Sequence, residues 1–267
     1  MNSFPRRSSM LASLVVLACI TQAVGQGTYT SRWIQDKPFY KPTGNEATLI
    51  GMIKVAGQVP PNKIIDMTAD PTCVKLNLNP KPQTELILLN EGGLQNAFIY
   101  IKKGAALDNY QFEIPTSEVV LQHLNCRYSP HVLGIQKLQR LLVVNKDPTQ
   151  HNTHPVPKNN PEWNQSQPSE AEPMEKTFAR PEMFIPFKDN QHPWEKAYIS
   201  VLEHPFFAVS NEFGSYQIPG LPPGTYTIVV WHEALGEQEI EITLVPGESR
   251  NLDFFYQGEK TYVTPKP

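Results

Sequence analysis

Two short segments carry the side chains in this chain best suited to holding a metal ion. The first, Asn145-Lys-Asp-Pro-Thr-Gln-His-Asn-Thr-His154, follows the apolar run Leu141-Leu-Val-Val144 and supplies His151 and His154. The second, Asp189-Asn-Gln-His-Pro-Trp-Glu195, spaces Asp189, His192 and Glu195 three apart in a short loop. Imidazole nitrogen suits copper and zinc, and carboxylate oxygen is a hard anionic donor, so together they form a donor set for a divalent cation. A plainer reading needs no metal: Pro193-Trp194 packs, and Glu195 pairs at the surface with Lys196 or Lys188. The metal reading gains from the histidines lying on two segments far apart in the chain.

The elements that must position these groups read as strands and turns. Twenty-six prolines among 267 residues, with 18% charged, point to many turns and short strands rather than long helices. Strands are expected within Leu49–Gly57, at Glu85–Leu89 and Ala97–Lys103, then at Val119–Leu121, His131–Ile135 and Arg140–Val144. They resume at Phe184–Phe187, Tyr198–Leu202, Ser215–Ile218, Tyr226–Trp231, Glu239–Leu244 and Asn251–Phe255. Between them, His154–Lys176 is polar and Pro-rich, the longest irregular stretch. Residues 26–47 read as an arm without period. No amphipathic helix is expected, and the fold class is all-β with two sandwich-like units. A net charge of -3 with no basic run argues against a nucleic-acid partner.

The start of the chain reads as an export signal over residues 1–25: Arg6 and Arg7, an apolar run from Met10 to Ile20, then small and polar residues to Gly25. The run is short for a bilayer span, so cleavage is expected rather than anchoring. Ala18-Cys19 fits a lipoprotein site poorly, and the Arg pair supports a twin-arginine signal only weakly. No second membrane segment is evident, and a soluble periplasmic or secreted protein is expected. Removing Cys19 leaves Cys73 and Cys126. They are either two buried thiols or a disulfide, and an oxidising compartment favours the bridge.

Glu212-Phe-Gly-Ser-Tyr-Gln-Ile-Pro-Gly-Leu-Pro-Pro-Gly-Thr-Tyr-Thr-Ile228, followed by Trp231-His-Glu, resembles the transthyretin-like sandwich of the carboxypeptidase regulatory-like domain. There Pro223-Gly224 suits a type II turn and Tyr226 begins an inward-packing strand. The first strands of that domain match Ile50–Gly57 and Ala97–Lys103, about a hundred residues upstream, which implies an insertion at a loop tip. The inserted part resembles a cupredoxin, through Cys126-Arg-Tyr-Ser-Pro-His-Val132, the strand ending Val144-Asn-Lys-Asp147, His151-Asn152 and the Asp189–Glu195 loop before Ala197–Leu202. The resemblance implies a cupredoxin-like Greek-key sandwich inserted into, or packed against, the regulatory-like one. The expected boundaries are 48–108 with 205–257 for the outer unit and 109–204 for the inner, followed by a tail at 258–267.

Carried over from the cupredoxins, His151 takes the first histidine position and His192 the second. Asp189 stands where that family has cysteine and Glu195 where it has methionine. Losing the thiolate removes the donor that favours Cu(I), and carboxylates favour Cu(II), Zn(II) or Mn(II), so blue electron transfer is disfavoured. Three readings stay open here: a divalent site of His151, His192, Asp189 and Glu195 with His154 as an extra donor, a vestigial site, or a redox site of another geometry. Copper or zinc is the expected metal. The competing function is an envelope-binding module for protein or glycan, on fold analogy alone. A redox or envelope protein, or a glycan, is the expected partner. No catalytic constellation is evident: Ser210 and Ser215 lack a glycine elbow, and the chain is not expected to be an enzyme. His131 reads as packed or hydrogen-bonded, His123 as solvated, His204 as a junction residue and Trp231-His232-Glu233 as a strand end. Asn164-Gln-Ser166 matches a glycosylation sequon too short to carry weight.

Overall fold

Alternation is written into the first strand of the computed structural model, which describes residues 37–258. Along β1 (Ala47–Ala56), Ala47, Leu49, Gly51 and Ile53 point inward while their neighbours face partly outward, the period of a half-buried strand. There follow α1 (Pro71–Leu76), β2 (Leu89–Asn90), β3 (Gly93–Leu94), β4 (Phe98–Gly104), α2 (Ala105–Asn109), β5 (Val119–His123), β6 (Tyr128–Ser129) and β7 (Val132–Gln136). Next come β8 (Leu141–Asn145), β9 (His151–Pro155), β10 (Gln165–Gln167), β11 (Met174–Lys176), β12 (Glu182–Lys188) and β13 (Lys196–Leu202). The last elements are β14 (Phe207–Val209), β15 (Ser215–Leu221), β16 (Gly224–His232), β17 (Gly236–Leu244), β18 (Ser249–Asn251) and β19 (Phe254–Gln257). The all-β class expected from the sequence holds.

The strands form four sheets. One centres on β1, antiparallel to β15 and β3 and parallel to β18 and β19. A second runs β14-β4-β16-β17, all antiparallel. These two share a core that includes Leu49, Ile53, Ile99, Ile101, Tyr226, Ile228 and Tyr256. The third runs β10-β9-β12-β13-β7 and the fourth β11-β8-β5-β6, sharing a separate core of Leu121, Ile135, Leu141, Val143, Ile185, Phe187 and Ile199 among others. Each such aliphatic side chain, taken fully out of water, contributes about 1.5–3 kcal/mol before chain entropy is counted. A third cluster, with Phe98, Tyr100, Val132, Leu202 and Val229, draws on strands from both pairs. Tyr226 is buried as expected, its hydroxyl donating to Pro222 O at 2.7 Å. Opposite it in the ladder stands Gly104 at φ 157°, where a Cβ would lie 2.1 Å from the Tyr226 ring.

Several expectations need correction. Of Glu85–Leu89 only Leu89 enters a strand, β2; the Ile87 amide donates to the Asn62 side chain at 3.2 Å, so there a side-chain bond replaces a ladder. Part of the arm is ordered, Tyr40 N donating to Gln111 O at 2.8 Å. The stretch from His154 to Lys176 includes β10 and β11, and Asn160 with Glu182 ties it down. The Cys73–Cys126 disulfide is present, with Cα atoms 5.6 Å apart. The export signal at 1–25 lies outside the described residues, as does the tail beyond Gly258. Among the described residues no helix is long and apolar enough to cross a membrane.

Candidate metal centre

The Asn145-x-Asp147-x-x-x-His151 segment is a self-bonded loop between β8 and β9. Asn145 is fully used: its amide donates to Thr149 O, Gln167 O and Pro168 O, and its carbonyl accepts from Asp147 N at 2.9 Å. That turn aims the Asp147 carboxylate at the backbone N–H groups of Asn125 and Cys126, each 2.7 Å away, and at His151 Nε2, 3.0 Å away. His151 opens β9 pointing into the interior beside Thr153, whereas Asn152 and His154 alternate to the other face.

The second segment is an Asx-type turn. Asp189 Oδ1 accepts from Gln191 N at 2.7 Å and His192 N at 2.9 Å, and Glu195 N donates to His192 O at 2.8 Å. The three side chains spaced three apart therefore turn to one side. His192 Nε2 lies 3.0 Å from Asp70 Oδ2. Asp70 is the N-cap of α1, accepting from Thr72 N and Cys73 N while Thr149 Oγ1 donates to its second oxygen at 2.9 Å. The disulfide from Cys73 to Cys126 ties this cap to the residues that bind Asp147. Trp194 Nε1 donates to Cys126 O at 3.0 Å and its ring lies 5.2 Å from His192.

The Nδ1 atoms of both histidines face the same two carboxylates. His151 Nδ1 is 3.1 Å from Asp189 Oδ2 and 2.9 Å from Glu195 Oε1; His192 Nδ1 is 3.2 Å and 3.8 Å from the same atoms. All four residues are buried, none more than 3% exposed. The carboxylate partners at Nε2 fix both rings with their outer N–H donating, the arrangement by which carboxylates orient metal-binding imidazoles. Bonds of 2.0–2.1 Å to a tetrahedral ion would put its donors about 3.3–3.4 Å apart, and the four imidazole–carboxylate separations straddle that value. The donor atoms that all lie within 4.8 Å of one another, however, belong to His123, His151, Asp189 and Glu195, with His192 grouped instead with Asp70 and Cys73. Glu195 Oε1 has no hydrogen-bond partner although buried. Its nearest donor is His151 Nδ1 at 2.9 Å, a charge contact rather than an aligned hydrogen bond, so that oxygen keeps lone pairs free to meet a cation.

Electrostatics follows the geometry. Burial would lower the His151 pKa, but the Asp147, Asp189 and Glu195 carboxylates around the ring outweigh it and raise it to about 11. Burial works the same way on His192, and its bonds to Asp189 and Asp70 raise it. For Asp189, Asp147 and Asp70, burial pushes upward and the hydrogen bonds they accept win, lowering all three, Asp70 to about 2.

The structure thus brings together His151, His192, Asp189 and Glu195, and not His154. That residue, facing the other way, binds Glu162 at 2.6 Å and Asn190 at 3.1 Å. Glu195 makes no surface salt bridge with Lys196 or Lys188; it is sealed inside. His123, read as solvated, is fully buried, with Nδ1 2.8 Å from Glu195 Oε2, Nε2 3.0 Å from Thr153 Oγ1, and its ring stacked on His151 at 4.4 Å and 8°. The signal for it was present in β5, where alternation puts His123 on the same face as buried Leu121. His131 is hydrogen-bonded as expected, to Lys196 O and to Glu233. Trp231 stacks on Phe184 at 4.0 Å, and His204 is buried.

Residues 188–256 match the family model of the carboxypeptidase regulatory-like domain. The match takes in β13, which pairs with β12 and β7, as well as strands of the first two sheets. No curated protein sequence matches the chain. Among solved structures, a purple cupredoxin from Nitrosopumilus maritimus is similar over 32% of this chain and 98% of its own, at 19% identity and TM-score 0.27. Amicyanin from Paracoccus versutus is similar over 39% of this chain and 96% of its own, at 16% identity and TM-score 0.29. A copper-containing nitrite reductase from Thermus scotoductus is similar over 38% of this chain at 20% identity and TM-score 0.31, the chain spanning 26% of that enzyme. Both families that the sequence resembles return here, one as a family model and one among solved structures.

Proposed function

We propose that this chain is an exported, non-catalytic metal-binding protein whose centre takes one Cu(II) or Zn(II) ion on His151, His192, Asp189 and Glu195. The observation that carries the reading is the convergence of two imidazole Nδ1 atoms on Asp189 Oδ2 and the otherwise unpartnered Glu195 Oε1. A divalent ion there meets two neutral nitrogens and two anionic oxygens, so the inner set is charge-neutral in a buried place. When bound, the ion supplies that central charge; Asp147 and Asp70 orient the two rings that receive it. The absence of a thiolate from the set makes the site colourless or pale and disfavours Cu(I). The disulfide fits an extracytoplasmic location. In this reading the ion sits in an inner unit of about residues 109–204, carried by a regulatory-like unit of 48–108 and 205–257.

The test is uptake. Dialysis against Zn(II) or Cu(II), followed by metal analysis and thermal shift, should give one ion per chain and a rise in Tm. At a hundredfold excess over Kd a ligand of the folded state stabilises by about 2.7 kcal/mol. His151→Ala and His192→Ala should abolish uptake while His154→Ala keeps it. No uptake of either metal by the native chain would refute the reading and return the envelope-binding module to first place.

A further inference from the structure

Glu195 is the least expected of the four donors, because nothing in its own loop holds its carboxylate. Its backbone amide closes the turn to His192 O, but the two carboxylate oxygens are served from elsewhere. Oε2 meets His123 Nδ1 at 2.8 Å, and Oε1 lies 2.9 Å from His151 Nδ1 without the alignment of a hydrogen bond. His123 in turn is held on three sides. Its ring lies between His151 at 4.4 Å and Tyr128 at 4.4 Å, and its Nε2 faces Thr153 Oγ1 at 3.0 Å. A carboxylate oxygen only accepts, so His123 Nδ1 must carry the hydrogen, and Thr153 can then donate to Nε2. Every polar atom of that ring is used, and the ring cannot turn without losing two bonds and two ring contacts.

From this we infer that His123 is a positioning residue: it pins one oxygen of Glu195 so that the other stands as the fourth, single-oxygen donor of the centre. The inference rests on the metal reading proposed above and deepens it. With Oε2 engaged, Glu195 cannot swing out to solvent, nor offer both oxygens to the ion. Oε1 therefore stays beside both histidines, 2.9 Å from His151 Nδ1 and 3.8 Å from His192 Nδ1. His123 thereby fixes which oxygen of Glu195 meets the ion, without touching the ion itself.

The experiment is a double-variant cycle on the full chain, with Zn(II) affinity read by competition against a chromophoric chelator and Cu(II) binding by electron paramagnetic resonance. His123→Leu keeps the bulk and removes the donor; it should weaken Zn(II) binding about 10–100-fold, the usual loss for an outer-sphere partner. His123→Asn, whose side-chain amide reaches the place of Nδ1, should recover most of that loss. In a Glu195→Gln background, His123→Leu should add nothing, because residues acting through one contact are not additive. The Cu(II) spectrum of His123→Leu should shift toward that of Glu195→Gln, a change that loss of packing alone would not produce. Native affinity in His123→Leu, or an equal loss with and without Glu195, overturns the inference while leaving the metal reading intact. If the native chain takes up no metal, both fall together. Should His123→Leu fail to fold, His123→Gln carries the same test: its amide reaches the place of Nε2 beside Thr153 rather than that of Nδ1, so it should weaken binding only where Glu195 is present.

Discussion

Loading the metal-free protein with Zn(II) at pH 8 should liberate at least one proton per ion. The proton comes from His151. Its Nε2–H is committed to Asp147, and in the metal-free protein its Nδ1 is also protonated, 3.1 Å from Asp189 Oδ2 and 2.9 Å from Glu195 Oε1. Burial opposes that second proton, but the three carboxylates prevail and raise the pKa to about 11. At pH 8 such a group is almost wholly protonated, whereas an ordinary imidazole near 6.5 is only about 3% protonated. Metal binding needs the Nδ1 lone pair, so the proton must leave. His192, raised for the same reason, adds a further fraction. Each proton released offsets part of the incoming ion's charge, so the buried carboxylates face positive charge in either state. Calorimetric titration in two buffers of different ionisation enthalpy counts the protons directly. A release of only the few hundredths expected from ordinary imidazoles would refute the protonation argument, even if zinc binds.

The same shifts set the pH dependence of the metal-free fold. His151 and His192 have raised pKa values when folded, so their contribution is complete below about 6.5 and is lost as pH rises toward the folded value. The lowered Asp70, Asp147 and Asp189, and the buried His204 and His232 pushed down to about 4, contribute on the alkaline side and lose it on acidification. Thermal scans with chelator present should therefore peak near neutrality and decline from pH 7 to pH 10; a flat Tm over that interval contradicts the assignment. Reducing Cys73–Cys126, which spans 53 residues, should lower stability by about 4 kcal/mol in the chain-entropy model, read by urea unfolding with and without a dithiol. A loss below about 1 kcal/mol would show that the unfolded chain is not what the bridge restrains. Asp189→Cys should bring intense visible absorption on adding Cu(II), since a thiolate then joins two imidazoles; a pale Cu(II) complex would argue against the ligand assignment.

The two loops of the candidate site were legible because their chemistry is local. Asn145, Asp147 and His151 build one turn from their own side chains, and Asp189 caps the turn that carries His192 and Glu195. What escaped was supplied from a distance. Asp70 belongs to a segment with no strand pattern, and only the cysteine three residues on, bridged to Cys126 beside Asp147, hints that it covers the centre. His123 lies two residues beyond the expected strand Val119–Leu121, and the alternation continues through it, pointing it inward like Leu121. His154 failed as a donor for the same reason of period: three positions from His151 in a strand is the opposite face. Glu85–Leu89 looked like a strand by composition, yet at Ile87 the backbone amide goes to Asn62.

Strands β4 and β14 lie side by side, with Phe207 opposite Tyr100 and Phe98 stacked on Phe207 at 5.7 Å. Residues 105–206 thus leave and rejoin the same sheet on adjacent rungs. A body hung from a single cord can spin and sway; one gripped at both wrists cannot. Gly134 presses the point home, since a Cβ there would sit 2.5 Å from the Phe207 ring, leaving no slack between backbone and aromatic. Both ends of that segment therefore meet in one cluster with Val132 and Leu202, and a single melting transition is expected.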